Sequence, residues 1–293
     1  MLYKLYPWLF GAMLCGLTFC GRSDDTTVSG AAALTILYTA NINGNIDNCM
    51  CGDPPLGGMD HIASYIQGKR QKGAVLYIEG GDALNSYDYP QLNDATRRIY
   101  GIIQPDVWAP GDQEFIQGTA YARSLFKEHA SAIIAGNWHV KGDTGLPAFK
   151  IVQKNGWRIG LASYMEPTLP ETRTNRDILF DPQKFDRINR EMKSVPLSIL
   201  IYHGAVDDVK QLINRFSDWD IILLSHYQQQ TVFQNGHTLV VCPGSDGEYI
   251  TEMVLTPHEG RPTPDIQVKQ IPVTTDLPAD EVIHDIIKTY QPG

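Results

Sequence analysis

The chain has 293 residues, 43% of them hydrophobic and 19% charged, which excludes a disordered or fibrous polypeptide and leaves room for one large domain or two small ones. With 24 basic against 33 acidic residues the net charge is −9, a balance that argues against nucleic acid as a partner. Met1 to Lys4 carry one positive charge and Leu5 to Phe19 run on without a charged side chain, the pattern of a secretion signal. An apolar run of roughly 15 residues is shorter than the ~20 that a spanning helix needs, so a permanent transmembrane anchor is not expected.

Leu17-Thr18-Phe19-Cys20 resembles a bacterial lipoprotein box, although Phe19 stands where a small residue is usual. The resemblance implies that Cys20 is lipidated and becomes the first mature residue; cleavage to a soluble periplasmic protein is the rival reading. The expected organisation is a signal peptide over 1–19, a lipidated Ser/Thr/Gly/Ala-rich tether over 20–33, and a single domain over 34–293. Loss of residues 1–19 removes one lysine, leaving 23 basic against 33 acidic residues, or −10.

Leu34 to Ala40, Ala74 to Glu79, Asp106 to Ala109 and Ala132 to Ala135 are short apolar runs bounded by glycine or polar turns, which predicts buried strands. Met59, Ile62, Ala63 and Ile66 fall at i, i+3, i+4 and i+7 and predict a helix opening after Gly57-Gly58; a second helix follows Tyr89-Pro90. Lys150 to Gln153 and Arg158 to Ser163, joined by Asn155-Gly156, read as a β-hairpin. Beyond it, Leu197 to Tyr202 and Asp220 to Leu224 read as strands around a helical stripe of Val206, Val209, Leu212, Ile213 and Phe216. A second hairpin, Thr231 to Phe233 and Thr238 to Cys242, turns at Asn235-Gly236. Strands over Ile250 to Thr256 and Ile266 to Val273, then a helix carrying Val282, Ile283, Ile286 and Ile287, complete the chain. Strand then helix, repeated, predicts a layered α/β domain of two sheets faced by helices.

Five short motifs each follow a predicted strand, where open α/β sheets place their ligand crevice. They are Asn41-Ile42-Asn43-Gly44, Gly80-Gly81-Asp82, Gly111-Asp112-Gln113-Glu114, His203-Gly204 and Ser225-His226-Tyr227-Gln228. In order and spacing they resemble the signature of the calcineurin-like metallophosphoesterases, particularly the catalytic domain of periplasmic 5'-nucleotidases: Asp-x-His, Gly-Asp, Gly-Asn-His-Glu, His, Gly-His-x-His. The resemblance covers nearly all of residues 34–291 and implies a four-layer α/β/β/α sandwich of two mixed sheets flanked by helices. The nucleotidases' C-terminal nucleotide-recognition domain is expected to be absent.

In the resembling enzymes two metals share a bridging Asp, polarise the phosphate and activate water. Carried over residue by residue, Asp82, Asp112, His203 and His226 form one metal site, for a divalent ion such as manganese, zinc or iron. Asp112 replaces the family's Asn and exchanges a neutral oxygen ligand for an anionic one. The other site is degenerate: Asn41, Asn43 and Gln228 stand for an Asp and two His, and neutral amides do not hold a divalent ion as those do. The His of Gly-Asn-His-Glu, which in the family protonates the leaving group or steadies the phosphate, is Gln113. A positioned acid is worth roughly 10²- to 10⁴-fold, and glutamine has no proton to give. Catalysis would then rest on Asp82 and its metal.

Cys49 and Cys51 follow the first motif and Cys242 ends a strand bordering the site; the three thiols form either a soft-metal or redox site or a disulfide from Cys242 to Cys49 or Cys51. His61 stands where the family often has Arg and reads as a surface helix histidine, and His139 as a loop histidine. Three functions follow: a one-metal phosphoester hydrolase, an inactive relative serving as an envelope binding protein, and a thiol-based metal or redox protein. The expected partners are a phosphorylated small molecule and, through the lipid anchor alone, the cell-envelope membrane.

Overall fold

Side-chain alternation along the apolar runs builds the frame. The computed structural model describes residues 31–49, 52–142, 145–169, 175–258 and 263–290; the expected signal, Cys20, most of the tether and Cys51 lie outside them. Among the described residues no helix is long and apolar enough to cross a membrane.

The first half runs β1 (Leu34–Thr39), β2 (Asn48–Cys49), β3 (Leu56–Gly57), α1 (Met59–Lys72), β4 (Val75–Glu79), α2 (Pro90–Ile103), β5 (Val107–Trp108), α3 (Thr119–Glu128) and β6 (Trp138–Val140). The second half runs β7 (Phe149–Lys154), β8 (Trp157–Met165), β9 (Ile178–Phe180), α4 (Pro182–Met192), β10 (Leu197–His203), α5 (Val209–Arg215), β11 (Ile221–Ser225), β12 (Thr231–Asn235), β13 (Thr238–Cys242), β14 (Tyr249–Thr256), β15 (Asp265–Pro272) and α6 (Glu281–Thr289). Helix starts carry their usual signals. Pro90 and Pro182 open α2 and α4, and the Asp280 side chain accepts from the Val282 and Ile283 amides to cap α6.

One sheet has the order β15-β14-β1-β4-β5 and the other β12-β13-β11-β10-β8-β7. Both are mixed: β1, β4 and β5 are parallel with β14 antiparallel, and β8, β10, β11 and β13 are parallel with hairpin edges. Leu34, Ile36, Tyr38, Leu76 and Ile78 from the first sheet pack on Ile159, Ile199, Ile201, Ile221 and Leu223 from the second. The opposite face of each sheet packs on helices: Leu37 and Tyr77 on α1, α2, α3 and α6, and Leu200, Ile222 and Val240 on α4 and α5. This is the expected α/β/β/α sandwich. The two sheets are also tied by the buried Tyr38 hydroxyl, which donates to the Leu224 carbonyl at 2.8 Å.

Two expectations need correction, and two helices had no sequence signal. Ala132–Ala135 is no strand; only an isolated bridge joins Trp108 to Ile133, because β5 itself is two residues long and offers one partner position. His139 lies in β6, paired with Leu179, rather than in a loop. Helices α3 and α4 were not expected; α4 buries only Phe185, Ile188 and Met192 in an otherwise polar run, so its stripe is thin.

Beneath the first sheet's exit, the fully buried Glu79 carboxyl accepts from Thr39 Oγ1 (2.6 Å) and the Tyr100 hydroxyl (2.7 Å). Burial, against which these hydrogen bonds work, pushes it up to about 8 from an ordinary value of 4.5. The folded state therefore binds a proton that the unfolded chain releases, a contribution present below about 4.5 and lost as pH rises through about 8. Glu79→Gln, neutral and similar in shape, should flatten the decline in Tm between pH 6 and 9. Calorimetry at pH 9 should find it more stable than the parent by on the order of 2–5 kcal/mol, one pKa unit being about 1.4 kcal/mol.

Candidate metal centre

The C-terminal ends of β1, β4, β5, β10 and β11 converge at one end of the sandwich. His203 is the last residue of β10 and pairs in register with Ser225, the last of β11, so the chain delivers His203 and His226 from adjacent strands. From the facing sheet, the loops after β4 and β5 carry Asp82 and Asp112. Glu114 ties these loops together: its buried carboxylate accepts from the backbone amides of Gly111 (2.6 Å), Ala83 (2.8 Å) and Asp82 (3.2 Å). Burial and the nearby Asp82 charge push Glu114 up to about 7. A β-carbon at position 111 would collide with the His203 ring and the Asp82 carboxylate, which is why glycine stands there.

Asn41, Asn43, Asp82 and His226 all have left-handed backbones, with φ of 56°, 55°, 55° and 62°. Asn and Asp tolerate this region best among non-glycine residues, and His is also enriched there. Four such residues at one strand-end cluster mark the local strain that functional sites hold.

Asp82, Asp112, His203 and His226 each offer one ligand atom, and these atoms all lie within 4.8 Å of one another; among the described residues no other His, Cys, Asp and Glu group converges so. His203 Nε2 is 2.8 Å from Asp112 Oδ1 and 3.4 Å from Asp82 Oδ1; His226 Nδ1 is 3.2 Å from Asp112 Oδ1 and 3.3 Å from Asp82 Oδ2. Two ligands about 2.1 Å from one ion, at tetrahedral to octahedral angles, lie about 3.0–3.4 Å apart, close to these four separations, so the group could hold one divalent cation. Asp82 and His203 are buried, while the His226 side chain, 28% exposed, forms the open side.

Electrostatics agree. Burial alone would raise Asp112, but hydrogen bonds from His203 and His226 and their charge more than reverse it and hold the carboxyl well below the usual range. Burial would lower His226, yet its hydrogen bonds to Asp112 and Asp82 push it up to about 10, and His203 is raised against burial by the Asp82 charge and the Asp112 hydrogen bond. Without metal, the imidazolium protons sit where a cation would.

The other half-site does not fit an ion. The buried Asn41 amide donates to the carbonyls of Tyr227 (3.0 Å) and Gly244 (2.8 Å), and its oxygen accepts from the His226 amide (2.7 Å). Asn43 donates to Asp246 Oδ1 (2.9 Å) and accepts from Gln113 Nε2 (3.1 Å). Because the carboxylate can only accept, it fixes the Asn43 amide, which in turn fixes Gln113 and leaves Gln113 Oε1 buried without a protein partner. Gln228 is exposed and does not join this network.

The cysteine expectation is overturned. Cys242 is a buried free thiol donating to the Tyr227 carbonyl at 3.0 Å, and burial pushes it up to about 12; it is not Cys49's disulfide partner, and among the described residues it joins no converging ligand group. Cys49 is disulfide-bonded, which removes it from any thiolate site. His61 sits on α1 with Nδ1 2.8 Å from the Leu277 carbonyl.

Two contributors escaped the sequence reading. Ser225 Oγ lies 2.9 Å from His203 Nδ1 and turns Nε2 toward the carboxylates; its signal was a serine where the family pattern has glycine. Asp246 lies far along the chain in a glycine-rich turn, with no motif to announce it.

No family model matches the sequence, and no curated protein matches it. Solved structures do match. The fold is that of the calcineurin-like metallophosphoesterases: the calcineurin-like phosphoesterase YfkN of Bacillus subtilis aligns over 88% of this chain and 96% of its own, with 17% identity and a TM-score of 0.66. The 5'-nucleotidase precursor of Thermus thermophilus aligns over 88% of this chain at 16% identity with a TM-score of 0.73, and the sulfate thiohydrolase SoxB of the same organism over 87% at 17% with 0.72. This chain spans 58% and 60% of the lengths of those two proteins.

Two outcomes follow from this geometry. Metal binding must displace protons from the histidines, so apparent affinity rises with pH until about 10, and calorimetry in buffers of different ionisation enthalpy records the proton release. Ser225→Ala, with the fold intact, weakens metal binding by about 10- to 100-fold in a competition titration.

Proposed function

We propose that the protein is an exported, lipid-anchored phosphoester hydrolase, 5'-nucleotidase-like, that works with one divalent metal ion. The observation that carries this reading is the convergence of Asp82, Asp112, His203 and His226 ligand atoms at the strand ends of a metallophosphoesterase fold. The export and anchor rest on the secretion pattern and Cys20, which support a location in the bacterial cell envelope. Likeness to 5'-nucleotidases supports a phosphorylated small molecule as substrate.

Bound here, a manganese, zinc or iron ion would polarise a phosphoryl oxygen and lower the pKa of water. The chain's own residues set the rest. Asp82 divides its oxygens, Oδ1 toward His203 and Oδ2 toward His226, and so spans the group. Ser225 keeps a proton on His203 Nδ1 and frees Nε2 to ligate. His226 faces the opening by which substrate enters. Gln113 Oε1 can accept from a hydroxyl or a protonated phosphoryl oxygen and so orient it, but Gln113 cannot protonate a departing oxygen.

A second reading, a binding protein without turnover, draws on the amide network that satisfies Asn41 and Asn43 within the protein. Elemental analysis separates the two with a phosphoester assay. The hydrolase reading expects about one equivalent of metal, with metal and turnover both lost in Asp82→Ala and His203→Ala. Metal without turnover of any phosphoester leaves the binding protein, and no metal after supplementation sinks the hydrolase. Gln113→His, which restores an acid, should raise kcat about 10-fold or more for esters of poor leaving groups.

A further inference from the structure

The loops that carry Asn43 and Asp82 continue into a cleft of about 690 Å³. Gly44, Asn45 and Asn85 form its inner wall, and Tyr89, Leu92, Ile287 and Tyr290 supply an apolar face. Asn85 lies three residues beyond Asp82, a length of chain that spans at most about 11 Å. Its side-chain amide donates to the Asn43 carbonyl at 3.0 Å, so the cleft adjoins the loops that carry Asn43 and Asp82, although no metal-centre ligand lines it. Tyr89 is 55% exposed, and its ring lies 6.1 Å from that of Tyr87, itself 68% exposed. Two large aromatics thus stand at the surface, one of them lining the cleft, with most of their area unburied. Among the described residues none lining the cleft is Lys, Arg or His, and Asp47 adds a carboxylate. Such a wall suits an uncharged flat group and repels an anionic one.

The chemistry of the departing oxygen points the same way. Gln113 replaces the acid, so that oxygen must leave as an anion without a proton from the protein. A phenol, with a pKa of about 10 like tyrosine, leaves far more readily than a group as basic as water, at about 15.7. The cleft and the missing acid are separate observations with one answer.

We propose that the substrate is a phosphate monoester of an uncharged phenol, its ring seated between Tyr89 and the Leu92–Ile287–Tyr290 face; this rests on the hydrolase reading above. In the reaction a water oxygen bonds to phosphorus and the bond from phosphorus to the phenolic oxygen breaks. The electron pair stays on that oxygen, giving a phenolate, and both protons of the water remain on the product dihydrogen phosphate.

The test uses the manganese-loaded protein with phenyl phosphate, 4-carboxyphenyl phosphate and glycerol 3-phosphate, and separately the binding of 4-nitrophenol to the metal-free protein by ligand-observed NMR. Expected are a kcat/KM for phenyl phosphate at least 10-fold above that for the carboxylated ester and at least 100-fold above that for the glycerol ester. Tyr89→Ala should raise KM for phenyl phosphate about 5- to 10-fold, shrink its advantage over the glycerol ester and weaken 4-nitrophenol binding, while Tyr89→Phe restores all three. Turnover with no aryl preference, or with preference untouched by Tyr89→Ala, overturns the assignment and leaves the hydrolase reading standing. Tyr89-dependent binding of 4-nitrophenol without turnover of any of the three esters overturns the hydrolase reading and the aryl ester with it.

Discussion

Two buried carboxylates cannot share a space less than 5 Å across unless positive charge lies between them. Asp82 and Asp112 meet that condition through His203 and His226, whose ligand atoms lie within 4.8 Å of theirs. At such separations like charges repel by several kcal/mol at the effective dielectric of a protein, and opposite charges gain as much. Beneath this group the interior grades from charged to neutral acids. Glu114 is held among three backbone amides and raised to about 7, and Glu79 among hydroxyls is raised to about 8. The gradient favours placing cationic charge at the outermost pair, where His226 faces solvent on one side.

The sandwich makes this arrangement possible by bringing together chain ends that no local segment could. Each sheet contributes one carboxylate pair or one imidazole pair, and the Tyr38 hydroxyl links the sheets just behind the site. The short loops after β1, β4 and β11 reach the centre through left-handed turns at Asn41, Asp82 and His226. Their cost is tolerable because Glu114 and Asn41 bind the same loops through backbone hydrogen bonds.

Much of this was legible in the sequence. Long apolar runs such as Leu34–Ala40 and Leu197–Tyr202 announced the central strands, and the five motifs in order announced both the fold and the group at Asp82, Asp112, His203 and His226. What stayed hidden depended on contacts across the fold. Asp246 meets Asn43 some 200 positions later in the chain, with a sequence separation of 203, and carries no local pattern. Ala132–Ala135 had the composition of a strand but no partner strand long enough to pair with it. Cysteine chemistry was misread because the count of thiols gave no sign that Cys242 would be sealed in the core while Cys49 was bridged elsewhere.

The hydrogen bonds of Asn41 fix which residue its loop accepts. Its amide hydrogens serve two carbonyls, of Tyr227 and Gly244, and its oxygen serves the His226 amide. An aspartate at 41 would keep the acceptor but abandon both carbonyls, each worth about 1–3 kcal/mol when buried and unpaired, and would crowd another negative charge beside Asp82. Asn41→Asp thus loses stability unless a bound cation offsets the added charge. The loops are thus fitted to a neutral amide: position 41 is locked against the one exchange that would put an anionic ligand there, and the lock is made of backbone carbonyls that no side-chain substitution elsewhere removes.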